Sequence, residues 1–247
     1  MKTSILGSGV YAKAISACLL NANCTVTMWT EKKDFKEVLA REGTYLTNSF
    51  EEAADTEIIF VLTSSPFVAS VLEGIAPHVD ESCLIVVGSK GILEDGTLMT
   101  DLVEKILPKN HYAVISGPTF AVDIAALEPV GFTIGTKNFS DFEKIIPCFK
   151  TAHLEYSSDV LAIEMCGSLK NAYAIGSGLL NGLNYGHSTS CLYITKALHE
   201  MSSIFGCLDA SPHSTNTLAG VGDLVLTCTS QNSRNFTFGT VLALGDE

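Results

Sequence analysis

Arginine is almost missing from this chain: Arg41 and Arg234 are the only two in 247 residues. Charge of either sign is sparse at 17%, and what there is leaves a net charge of −12. That balance excludes the basic surface a nucleic-acid binder or a binder of anionic membranes needs. Low charge beside 47% hydrophobic residues also excludes a disordered chain. Long apolar runs are lacking too. Ile58-Ile59-Phe60-Val61-Leu62 is typical, far short of the roughly 18 residues of a membrane span. Met1–Gly7 enters a glycine turn with no apolar leader, so no signal peptide is expected. Eight cysteines (18, 24, 83, 148, 166, 191, 207 and 228) show no CxxC pair and no zinc-type cluster. They are expected as reduced, mostly buried thiols of a cytoplasmic protein, with no metal. The six histidines form no cluster and are taken as structural.

What is present is rhythm. Lys2–Leu6, Cys24–Trp29, Glu57–Leu62, Cys83–Val87, Tyr112–Ile115, Val130–Thr136 and His153–Tyr156 read as strands. Helical patterns lie between them, at Val10–Leu20, Asp34–Ala40 and Phe67–Ile75. This alternation predicts an α/β fold with a doubly wound, mostly parallel sheet over residues 1–157. From residue 158 strand punctuation stops, and Val160–Leu183 and Ser190–Phe205 have helical lengths. An all-helical second domain is expected over 158–247.

Gly7-Ser8-Gly9-Val10-Tyr11-Ala12 follows the first strand and opens the first helix. It is a GxGxxG/A turn in the context that gives the pattern meaning. Gly7 makes the turn, Gly9 lets a diphosphate approach the backbone, and Ala12 permits close helix–strand packing. The second strand ends in Trp29-Thr30-Glu31-Lys32-Lys33. Glu31 suits a ribose hydroxyl and leans towards NAD, whereas Lys32 and Lys33 suit a 2′-phosphate or are simply solvated, so the choice between NAD and NADP stays open.

Three charges stand alone in apolar stretches. Lys170 is the only charged residue between Glu164 and Lys196. A buried lysine loses basicity and becomes useful for proton transfer, unless it snorkels to the surface. Asp223 is alone between Asp209 and Arg234, placed equally well for a helix N-cap. Lys90 is alone between Glu81 and Glu94, past the fourth predicted strand, where open sheets bind ligands and where ordinary loop lysines also occur. Arg234, within Ser233-Arg234-Asn235, suits a phosphate or a plain surface helix start.

Five segments, in order behind the glycine turn, carry a resemblance: Lys90-Gly91-Ile92, Ser116-Gly117-Pro118-Thr119-Phe120-Ala121, Glu164-Met165-Cys166-Gly167-Ser168-Leu169-Lys170-Asn171, Leu218–Asp223 and Ser233-Arg234-Asn235. Together they resemble the bacterial-type NAD(P)-dependent glycerol-3-phosphate dehydrogenases. The resemblance implies reversible reduction of dihydroxyacetone phosphate to sn-glycerol 3-phosphate, a precursor for membrane phospholipids. It implies Lys170 as proton donor and acceptor, with Asp223 beside it. Lys90, Gly117, Thr119, Asn171 and Thr227 are implied at the substrate. Ser233, Arg234 and Asn235 are implied at its phosphate. Cofactor contacts are implied for the glycine turn (Gly7, Gly9, Val10, Tyr11, Ala12), Glu31, Lys90, Ala121 and Arg234. Family members often have serine at the position of Val10, glycine at that of Ala12, and arginine or histidine at that of Glu31. They also continue past the position of Glu247 with further helices, so the helical domain is expected to be truncated. The alternatives are a dehydrogenase of 3-hydroxyacid or 6-phosphogluconate type, or a non-catalytic dinucleotide-binding protein. The expected partner is a small substrate, with no nucleic acid and no membrane insertion; a homodimer stays open.

Overall fold

The computed structural model describes residues 1–245. Its first part alternates β1 (Lys2–Leu6), α1 (Val10–Asn21), β2 (Thr25–Trp29), β3 (Thr44–Thr47), α2 (Phe50–Ala54), β4 (Ile58–Val61), α3 (Val68–Ile75), β5 (Leu84–Val87), α4 (Met99–Ile106), β6 (Tyr112–Ser116), α5 (Ala121–Ala125), β7 (Gly131–Gly135), α6 (Phe139–Ile145) and β8 (His153–Ser157). Only helices follow: α7 (Val160–Gly182), α8 (His187–Cys207), α9 (Asp223–Thr229) and α10 (Arg234–Leu244). The alternating elements end at Ser157 and the helical ones begin at Val160.

The eight strands form one sheet in the order β3-β2-β1-β4-β5-β6-β7-β8. Neighbours run parallel except β6 and β7, which pair antiparallel through Val114–Gly135, Ile115–Ile134 and Ser116–Thr133. Strands buried on both faces read as continuous apolar runs, and their period of two sorts the side chains. Ile58, Phe60, Leu84 and Val86 join one core with Ile15 and Leu19 of α1. Ile59, Val61, Ile85 and Val87 join the other, which contains Leu72 of α3, Val103 of α4 and Ile163, Cys166 and Ala174 of α7. The longest helix is thus held directly against one face of the sheet.

Two local expectations are corrected. Asp34–Ala40 is not a helix but a short 3-10 turn, Phe35–Glu37. Asp34 caps the start of the turn, accepting from the Lys36 N–H, and Leu39, at a positive φ of 49°, takes the chain out of helical geometry before a second turn forms. The β3 edge strand was not expected, because four residues with only Thr47 fully buried show no clear alternation. All eight cysteines are free thiols, six of them buried and Cys191 and Cys207 exposed. No helix among the described residues is long and apolar enough to cross a membrane.

Candidate active site

At Gly7 the backbone takes φ +120°, and a Cβ there would sit 3.0 Å from the Leu62 carbonyl oxygen. Only glycine lets β1 turn into α1 this close to β4. A Cβ at Gly9 would meet no protein atom within 4 Å. Gly9 is the N-cap of α1, has no side-chain cap, and the first turn carries no acidic residue. The leading N–H groups of α1 therefore face open space with nothing repelling an anion, which fits a dinucleotide diphosphate. Ala12 is buried, Val10 is largely exposed, and the Tyr11 hydroxyl is buried without a hydrogen-bond partner. Glu31 is exposed just beyond β2, open to a ribose. Phe35 and Phe67, exposed rings after the carboxyl ends of β2 and β4, stand at the same edge of the sheet; nothing in their local sequence singled them out.

The lone charges meet. Lys170, in the middle of α7, donates from Nζ to Asp223 Oδ1. Lys90, in the loop after β5, donates from Nζ to Asp223 Oδ2 at 3.0 Å. Lys170 is 8% exposed and Asp223 is fully buried, so neither the snorkelling lysine nor the capping aspartate is what forms. Asp223 is instead the first residue of α9, behind the N-cap Gly222. It is delivered there by Leu218–Gly222, a π-helical segment. That segment is tied to the sheet: Leu218 N–H donates to Glu155 at 2.9 Å and Ala219 N–H to Thr133 Oγ1 at 2.9 Å. Thr227 donates to the Asp223 carbonyl at 2.6 Å, one turn along α9.

Electrostatics then split the two lysines. A single carboxylate compensates one ammonium, and the more buried cation is the one that yields. Burial, and then the Lys90 charge, push Lys170 down to about 7, against the pull of Asp223. Burial also works against the Lys90 charge, but Asp223 and the groups around it outweigh that and hold Lys90 above the ordinary lysine range. The result is a neutral-to-charged switch at Lys170 beside a permanent cation.

The phosphate motif reaches this cluster through a helix crossing. A Cβ at Gly178 would sit 2.0 Å from the Phe236 carbonyl oxygen, and one at Gly239 2.0 Å from that of Ile175. The backbones of α7 and α10 touch there because neither has a side chain between them. Two turns back along α7, Asn171 accepts from Asn235 Nδ2 at 2.9 Å. Ser233 is buried and caps α10, its Oγ accepting from the Phe236 N–H at 3.3 Å. Arg234 begins α10 and is exposed, with no ion-pair partner among the described residues. Gly117 and the buried Thr119 follow β6 on either side of Pro118, whose Cγ would lie 3.2 Å from a Cβ placed at Gly222, next to Asp223. Ala121 begins α5 at the same edge. Lys90, Lys170, Asp223 and Thr227 are thus joined by hydrogen bonds, Asn171 and Asn235 form a second pair beginning next to Lys170 in sequence, and Glu31 stands apart beyond β2. The sequence reading assigns no role to Glu164 and Ser168 of α7. The available signal was a lone acid six residues before a lone lysine.

Comparison with known proteins agrees along the whole chain. Residues 2–141 match the family described as NAD-dependent glycerol-3-phosphate dehydrogenase N-terminus, and residues 159–247 its C-terminus. A protein named glycerol-3-phosphate dehydrogenase [NAD(P)+] from Baumannia cicadellinicola is 32% identical over 98% of this chain and 77% of that protein. One of the same name from Geobacter metallireducens is 33% identical over 99% of this chain and 79% of that protein. The crystal structure of glycerol-3-phosphate dehydrogenase from Coxiella burnetii superposes with a TM-score of 0.93 at 27% identity, covering 100% of this chain and 81% of that one.

Proposed function

The chain belongs to the NAD-dependent glycerol-3-phosphate dehydrogenase family, and from that premise we propose that it reduces dihydroxyacetone phosphate reversibly to sn-glycerol 3-phosphate. The observation that carries this reading is the buried Lys170–Asp223–Lys90 cluster, in which burial and the Lys90 charge push Lys170 down to about 7. The bound NAD(P)H supplies the hydride that reaches C2 of the substrate. Gly7, Gly9 and the first-turn N–H groups of Val10, Tyr11 and Ala12 would hold its diphosphate, with Glu31, Lys90, Ala121 and Arg234 at its other groups.

The chain's own part is the proton and the phosphate. Lys170 gives its proton to the C2 oxygen in reduction and takes it back in oxidation. General acid–base help of this kind typically contributes ~10²–10⁴-fold. Asp223 keeps the Lys170 amine aimed and lets it hold a proton near pH 7. Thr227 fixes the start of the helix that bears Asp223. Gly117, Thr119 and Asn171 border the substrate carbons. Lys90 and Arg234 offset the substrate phosphate, which Ser233, Asn235 and the leading N–H groups of α10 also receive. In this reading residues 1–157 hold the cofactor and lend Lys90, Gly117 and Thr119 to the substrate, while the helical residues from 158 onward supply the proton and the rest of the phosphate grip.

The test is the oxidation of NADH and of NADPH with dihydroxyacetone phosphate, beside a fluorescence titration of NADH. Turnover that depends on the phosphorylated ketone supports the reading. NADH binding without turnover overturns it in favour of a non-catalytic dinucleotide-binding protein, and turnover only with a 3-hydroxyacid or with 6-phosphogluconate overturns it in favour of another dehydrogenase.

A further inference from the structure

Residues 88–98 connect β5 to α4 and carry Lys90. Both ends of this loop are fastened to α7. At its start, Gly91 N–H donates to Ser168 Oγ at 3.2 Å. At its end, Glu164 accepts from the Met99 N–H at 2.7 Å, from the Thr100 N–H at 3.3 Å and from the Thr100 hydroxyl. Glu164 is 3% exposed, so its carboxyl is spent entirely on these bonds. Ser168 also donates to the Glu164 carbonyl at 3.3 Å, which fixes its rotamer. The two fasteners are one helical turn apart and share a face of α7. Between them lies Gly167, packed on the Lys90 stem: a Cβ there would be at ordinary contact distance, 3.6 Å, from Lys90 Cγ and Cδ, and 3.1 Å from Ser116 Oγ. The Lys90 stem therefore runs across α7 just before Lys170, and its ammonium arrives at Asp223.

We propose that Glu164 and Ser168 are positioning residues for the reaction: they clip both ends of the 88–98 loop to the helix that bears Lys170, and so set where the Lys90 ammonium stands against Asp223 and Lys170. The proposal rests on the functional reading above. It assigns a task to a buried acid that the proton transfer itself does not use. It also predicts that loosening the clip changes chemistry and not only stability, because the Lys90 charge is one of the things that tunes Lys170. The groups facing Lys170 are Lys90 from the loop and Asp223 and Cys228 from α9. Substitution in the clip displaces only the first of them.

The experiment is the pH profile of kcat/KM for NADH-dependent reduction of dihydroxyacetone phosphate, measured with thermal unfolding of the same samples. Ser168→Ala removes the fastener at Gly91 without opening a large cavity. We expect about a tenfold fall in kcat/KM, as one lost hydrogen bond gives. We also expect the falling limb to move to higher pH by about half a unit or more, since Lys90 no longer presses on Lys170. Glu164→Ala moves the limb the same way, and Glu164→Gln, whose amide oxygen still accepts from Met99 and Thr100, restores it. If Glu164→Ala does not fold, Ser168→Ala decides. A lowered thermal midpoint with the limb unmoved means the clip is structural only, and so does a wild-type profile for Ser168→Ala; either result overturns the proposal. Absence of any turnover in the unsubstituted chain overturns the functional reading instead.

Discussion

Replacing Asp223 with asparagine keeps the shape of the side chain and removes the one charge that two lysines share. Asp223 is fully buried, Lys170 is 8% exposed, and their contact lies away from water. Removing one partner of such a pair costs about 3–5 kcal/mol, because the other charge is left uncompensated. For a chain of this length that lowers the thermal midpoint by roughly 6–20 °C. The loss is larger at pH 6, where both lysines carry protons, than at pH 9, where Lys170 has released its own. The kinetic effect follows from the same charge. Without Asp223, burial and Lys90 both push Lys170 below its value near 7. At pH 7.5 the variant then lacks the proton that reduction needs, and reduction falls by ~10²–10⁴-fold, the usual worth of a positioned acid. At any one pH kcat/KM for oxidation of glycerol 3-phosphate falls by the same factor, because the overall equilibrium is unchanged; what moves is the pH limb, to lower pH in both directions. The assay is initial rates in both directions between pH 5.5 and 9.5. A pH limb unmoved in both directions would refute the reasoning and leave Asp223 as a packing residue.

Other perturbations separate the remaining roles. Lys170→Ala abolishes turnover and leaves NADH affinity nearly intact by fluorescence titration; lost NADH binding would mean the lysine serves the cofactor instead. Arg234→Ala raises the KM for dihydroxyacetone phosphate by roughly 10–100-fold, the worth of a charged hydrogen-bonding pair; an unchanged KM removes Arg234 from the phosphate. Gly178→Ala forces α7 and α10 apart, since its Cβ would overlap the Phe236 carbonyl. It should lower the thermal midpoint and weaken phosphate binding together, and calorimetry with substrate and product shows whether it does.

Much of this was legible in the residues. The glycine turn could be read because its chemistry is local: a positive φ at Gly7 and a free helix start behind Gly9 follow from glycine itself. The fully apolar runs Ile58–Val61 and Leu84–Val87 announced central parallel strands for the same kind of reason. The lone charges were visible as anomalies, since an unshared lysine in an apolar helix needs a partner. That Lys90 and Lys170 share the single carboxylate of Asp223 was not visible, because it depends on a sheet edge, a loop and two helices meeting. The clip was hidden likewise, with Glu164 and Met99 65 residues apart in sequence. The failures were short elements. Phe35–Glu37 and Thr44–Thr47 are settled by a capping side chain and an edge pairing, not by periodicity.

The pH dependence of kcat/KM for reduction by the unsubstituted chain bears most directly on Lys170 as the proton donor. It reports the free enzyme's essential acid. The rate should fall as pH rises through about 7, with the reverse oxidation rising through the same range. A limb near the ordinary lysine value of 10.5, or rates flat from pH 6 to 9, would show that some other group moves the proton.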